Sequence, residues 1–76
     1  MATMNEVVIA TEYITIGQLL KEEGLIPTGG AAKWFLAETP VWVNDEQDQR
    51  RGRKLYPGDE IQIDDQVRLV IKAQEG

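Results

Sequence analysis

Between Arg50 and Lys54 the chain reads Arg-Arg-Gly-Arg-Lys, which gathers four of its eight cations into five residues. A guanidinium presents a planar fork of donors to phosphate and can stack on a base, so this run reads as an anion-binding segment. Gly52 lets the backbone bend, so Arg51 and Arg53 need not point to opposite sides. A further cation, Lys33, follows Thr28, Gly29 and Gly30 at what reads as the start of a helix. The N-terminus of a helix carries partial positive charge and unpaired N–H groups that suit phosphate. Two glycines would leave that end sterically open, or equally let another backbone pack close to it. Trp34 and Trp42 are large rings that either stack on an unpaired base or cover the edge of a small core.

Other chemistry has little to work with. The chain contains no histidine and no cysteine. That removes the commonest general base, the commonest metal ligand, the thiolate nucleophile and any disulfide. Glu22-Glu23 and Asp64-Asp65 are adjacent pairs, whose side chains diverge on a helix or strand and read as solvated charges. Gly29-Gly30 lacks the spacing of a nucleotide-binding glycine loop. The expectation is a protein without catalytic residues, metal or cofactor.

The formal net charge is −5 over 76 residues. Taken as a total it opposes a polyanionic partner. The acids lie mostly away from the basic run: Glu6, Glu12, Glu22 and Glu23 before it, and Asp59, Glu60, Asp64, Asp65 and Glu75 after it. Screening over about 8 Å in physiological salt lets a local patch act without sensing the whole molecule. The same run could instead be a salt-bridged, solvated face. No apolar stretch approaches the roughly 20 residues of a membrane span. The first residues, Met1 to Thr11, lack the basic start of a signal peptide. Absence of cysteine fits a cytoplasmic protein.

Elements that could position these residues follow from pattern. The length allows one domain, 1–76, with flanking strands over 6–13 and 67–72. Val7, Val8, Ile9, Thr11 and Tyr13 have strand composition. Thr15 and Gln18 form a capping box for a helix over Thr15–Glu23, with Ile16, Leu19 and Leu20 on one face and Gly24 as its stop. Leu25 and Ile26 should pack under the connection that follows. Thr28 should cap a second helix over Thr28–Glu38, with Ala32, Phe35 and Leu36 inward and Pro40 ending it. Val41-Trp42-Val43 alternates with the valines inward, and Asn44-Asp45 suits a hairpin turn. Pro57-Gly58-Asp59 is a second turn, and Ile61, Ile63, Val67, Leu69 and Ile71 alternate along two further strands. The fold class is α+β: two short helices on a small, mostly antiparallel sheet.

Four pieces together carry a resemblance. They are Thr-Ile-Gly-Gln-Leu-Leu from Thr15, Thr-Gly-Gly-Ala-Ala-Lys-Trp-Phe-Leu from Thr28, Val-Trp-Val-Asn from Val41, and Tyr-Pro-Gly-Asp-Glu-Ile from Tyr56. In this order and spacing the core from about 15 to 63 resembles the S4 domain, an RNA-binding (αL) fold. Thr-Gly-Gly-x-Ala-Lys with the basic run is most similar to short, stand-alone bacterial S4-like proteins of the YaaA type. The chain departs from the S4 pattern at Gly29-Gly30, where many members have two arginines, and at Asp45, where glycine is usual. The resemblance implies binding of structured RNA, ribosomal RNA or tRNA, with a role in ribosome assembly or translation. No membrane and no small-molecule substrate is implied. Thr28, Gly29, Gly30, Lys33, Trp34, Trp42, Arg50, Arg51, Arg53 and Lys54 are then the candidate RNA-binding residues. The rival is a protein-interaction module whose acidic surface binds a basic ribosomal protein or assembly factor, with the basic run pairing internally against the acidic terminal segments.

Overall fold

Strand propensity at the start of the chain produces β1, Thr3–Ile9, in a computed structural model that describes residues 3–74. The ends of the expected 1–76 span, Glu75 among them, lie outside the described residues. β1 is earlier than the expected 6–13: the backbone bends over Ala10–Glu12, and only Ile14–Thr15 resumes as a short strand, β2. Helix α1, Ile16–Glu22, starts at the expected capping box. The Gln18 amide donates to Thr15 Oγ1 at 3.2 Å, and Gln18 Oε1 accepts from the Thr15 amide at 3.0 Å. It stops where Gly24 turns left-handed at φ 74°. There the Gly24 amide donates to the Lys21 carbonyl and the Leu25 amide to the Leu20 carbonyl, the paired bonds of a Schellman motif.

The second helix is shorter than expected. Gly29–Ala31 form a 3-10 turn, and α2 proper is Ala32–Glu38. Thr28 is extended at φ −143°, but its hydroxyl caps no amide. The physical reason is the tighter turn the glycines permit: the Ala31 amide already bonds the Thr28 carbonyl at 3.1 Å. Ala32 and Leu36, four residues apart, are buried, whereas Phe35 sits half-buried at the rim and Leu25 is exposed. Ile26 is buried, so only half of the Leu25-Ile26 pair packs under the connection.

The remaining strands are β3 (Val41–Val43), β4 (Glu46–Gln47), β5 (Lys54–Leu55), β6 (Glu60–Ile63) and β7 (Val67–Ala73). Five of them form one sheet in the order β1-β7-β6-β3-β4. All its pairings are antiparallel except β1 with β7, which run parallel with Val7 opposite Ile71. β2 and β5 form a separate antiparallel ribbon, Ile14 opposite Leu55. The turns are as their residues require. Asn44 and Asp45 take φ 50° and 70°, the two-residue hairpin geometry, and Gly58 takes φ 100° in a turn closed by the Asp59 amide on the Tyr56 carbonyl. One face of the sheet meets the helices. Val41, Val43, Ile61, Leu69 and Ile71 pack there against Ile16, Leu19, Leu20 and Leu36, with Leu55 closing the core from the ribbon. Val67 is only partly buried.

Candidate nucleic-acid interface

The basic run is held by a residue that precedes it. Asp48 continues the β3–β4 hairpin, its amide on the Val41 carbonyl at 2.9 Å, and is buried at 8% exposure. Its Oδ1 accepts from the Arg50 amide at 2.8 Å and from Arg50 Nε at 3.1 Å. Its Oδ2 accepts from Arg50 Nη2 and Arg53 Nη1, each at 2.8 Å. The Arg50 side chain holds this carboxyl far below the usual carboxylate range; burial opposes that, and the Arg50 amide and the Arg53 guanidinium reinforce it. The Asp48 carboxylate in turn raises the Arg50 guanidinium above its ordinary value.

A turn at Arg51-Gly52, closed by the Arg53 amide on the Arg50 carbonyl at 3.1 Å, brings the run back against α1. The first amides of α1 have no partner within the helix. Here the Ile16 amide donates to the Arg53 carbonyl at 3.0 Å, and the Gly17 amide to the Arg51 carbonyl at 2.9 Å. The approach depends on Gly17. A Cβ there would lie 3.3 Å from the Arg51 carbonyl oxygen, and 3.6 Å from both Arg51 Cβ and Ala32 Cβ. The space above Gly17 is therefore bounded by the basic run on one side and the start of α2 on the other.

The candidate residues fall into three groups. Arg50 and Arg53 are ion-paired with Asp48, and among the described residues neither pairs with the acidic terminal segments. Arg51 and Lys54 are exposed and have no acidic partner among the described residues. Thr28, Gly29, Gly30, Lys33 and Trp34 lie on exposed chain across the start of α2, with Trp34 72% exposed. No packing neighbour crowds Gly29, and Gly30 meets only Thr28 Oγ1, at 3.9 Å, so close backbone packing is not why glycine stands there. At this terminus the Ala31 and Ala32 amides are bonded to the Thr28 and Gly29 carbonyls, which lie one turn back. Trp42 stands apart. Because Val41 and Val43 face the core, Trp42 lies half-buried on the opposite face of the sheet, lining a shallow polar depression with Asn44, Gln62 and Arg68.

Asp48, Gly17 and two tyrosines escaped the sequence reading. Tyr13 and Tyr56 flank the inward Ile14–Leu55 pair, with ring centres 5.9 Å apart, and Lys54 Nζ lies 4.8 Å from the centre of the Tyr13 ring. The available signal was the alternation Tyr-Ile-Thr and Lys-Leu-Tyr around two core residues. Among the described residues no group of three or more acidic side chains converges as a metal site would require, and no helix is long and apolar enough to cross a membrane.

A capped helix, a short second helix and a sheet with a basic loop seated on the first helix define a small α+β module. The family model for the S4 domain matches residues 7–71, so the chain belongs to the S4 domain family. A protein of Bacillus subtilis (strain 168), named as a probable ribosome maturation protein RlbA, is 58% identical over 60 residues, covering 79% of this chain and 84% of the relative. No solved structure gave a significant match.

Proposed function

We propose that this protein is a non-catalytic RNA-binding module that engages structured ribosomal RNA during ribosome maturation in the cytoplasm. The observation that carries the reading is the seating of residues 50–54 on α1 beside the start of α2. That seating leaves Arg51 and Lys54 exposed without an acidic partner among the described residues, with Lys33 on the neighbouring element. Family membership and the printed name of the Bacillus relative support it. Arg50 retains donors beyond those that Asp48 uses, since a guanidinium has five N–H groups. The phosphate-binding face is then Lys33, Arg50, Arg51, Arg53 and Lys54, and the protein's net negative charge keeps the rest of its surface off the polyanion.

The test is binding to ribosomal RNA fragments and to tRNA across a salt series. Neutralising about four phosphates gives a log–log slope near −3, and losing one contact flattens it by about 0.7. Charge reversal at Arg51 and Lys54 should weaken binding more than reversal at Arg68 and Lys72 on β7. Salt-independent binding, or equal sensitivity at Lys72 and Arg51, would remove this face. Tight capture of a basic ribosomal protein without RNA would then make the acidic surface the functional one.

A further inference from the structure

We infer that Tyr13 and Tyr56 form a stacking site for an unpaired nucleobase, beside the phosphates taken by Lys54 and Arg51. The inference rests on the RNA-binding reading and adds the class of RNA: a strand or loop with a base free to leave its helix. Alternation in the β2–β5 ribbon builds the site. Ile14 and Leu55 are opposite each other and buried, so the positions on either side of them face outward. Those positions are Tyr13 and Tyr56 at one end and Thr15 and Lys54 at the other. The two residues remain 37% and 46% exposed. Their planes meet at 51°, which leaves no slot between them and directs a base onto the outer face of one ring.

Both tyrosines are fixed at the backbone before any ligand arrives. Thr11 Oγ1 donates to the Tyr13 carbonyl at 2.8 Å. The Tyr56 amide donates to Asp59 Oδ2 at 2.8 Å, while Asn44 Nδ2 holds the other oxygen of that carboxylate at 3.1 Å. A rigid ring with two side-chain torsions loses little entropy on binding, which is where a stacking contact gains its affinity. Beside Tyr13 lies an open depression of about 330 Å³ lined by Thr11, Glu12, Tyr13, Thr15 and Gln18. The Glu12 carboxylate there repels phosphate, so the depression suits a base rather than the backbone. Lys54, whose Nζ lies 4.8 Å from the centre of the Tyr13 ring, supplies the cation for the adjoining phosphate.

The experiment uses the full chain and three probes: a short single-stranded oligoribonucleotide of mixed sequence, the same backbone with abasic positions at its centre, and the fully paired duplex. Affinity is read by fluorescence anisotropy for the wild type, Tyr13→Ala/Tyr56→Ala and Tyr13→Phe/Tyr56→Phe, with circular dichroism melts to check folding. Wild type should lose about thirtyfold on the abasic strand, a mid-range value for one stacked base. The alanine variant should lose about as much on the intact strand, nothing further on the abasic one, and keep its salt slope. The phenylalanine variant should bind as wild type does. Salt-dependent binding that ignores the abasic change, or an alanine variant that folds and binds like wild type, overturns the stacking site alone. Preference for the duplex does the same. Failure of wild type to bind all three overturns the stacking site, and failure to bind ribosomal RNA fragments and tRNA as well overturns the RNA reading itself.

Discussion

Asp48 is two residues before the first arginine of the basic run, and nothing in that spacing says whether its carboxylate faces water or the protein. In the fold it is buried and accepts from both Arg50 and Arg53, so one acid sets the orientation of two of the four cations. Its carboxyl is held below its unfolded value, so the pairing stabilises the protein above about pH 4 and is lost as pH falls through the folded value. Asp48→Asn should therefore lower stability near pH 7 by about 1 kcal/mol, a modest figure because Arg50 is exposed and solvent screens its share. In denaturant titrations the gap between variant and wild type should narrow steadily in acid. A gap that widens as pH falls would mean the carboxyl is neutral in the fold. Gly17 was equally silent in the sequence, because a glycine in a helix and a glycine under another backbone look alike until the second chain segment is placed. By contrast Asn44 and Gly58 were legible, since each sits in a turn whose positive φ selects its residue type.

At the scale of elements, what could be read is what local chemistry decides. The Thr15–Gln18 box, the Gly24 stop and the hairpin at Asn44-Asp45 all involve residues within a few positions of each other, and all are in place. What could not be read was decided by distant partners. β1 ends at Ile9 because it pairs along its length with β7, at the other end of the chain, so Tyr13 leads into a different ribbon. Helix α2 begins at Ala32 because glycines allow a tighter turn, which periodicity alone does not register. Its phase matters for stability. Leu36 is 2% exposed, whereas Phe35 lies at the rim. Leu36→Ala should cost about 2–5 kcal/mol, the range for a buried leucine, and could unfold a domain this small. Phe35→Ala should cost less than Leu36→Ala, about 1–2 kcal/mol, because part of the ring is already in water. Guanidinium unfolding of both variants checks the order, and a larger loss at Phe35 would place it in the core.

The whole molecule carries a net charge of −5 and spans 37 × 28 × 20 Å. Its acids and its basic run therefore sit within a few Debye lengths of each other in physiological salt, and within about one at 10 mM. Glu22 and Glu23 illustrate the consequence. They stand at the C-terminal end of α1, while Arg51 and Arg53 are bonded to its N-terminal amides. Seven residues at about 1.5 Å rise place roughly 10 Å between the two ends. A unit charge at that distance in water acts with about 0.4 kcal/mol before screening, and with a fraction of that at an ionic strength whose screening length is about 8 Å. If RNA binds at residues 50–54, Glu22→Gln/Glu23→Gln should tighten binding by about two- to fivefold at 10 mM salt and by less than about twofold at 150 mM. The acids then act as a long-range filter: they suppress non-specific attraction at low salt and are invisible to a partner seated in physiological salt. An effect that persists undiminished at 150 mM would place the bound RNA against the end of α1 that carries these glutamates, and would move the interface off the basic run.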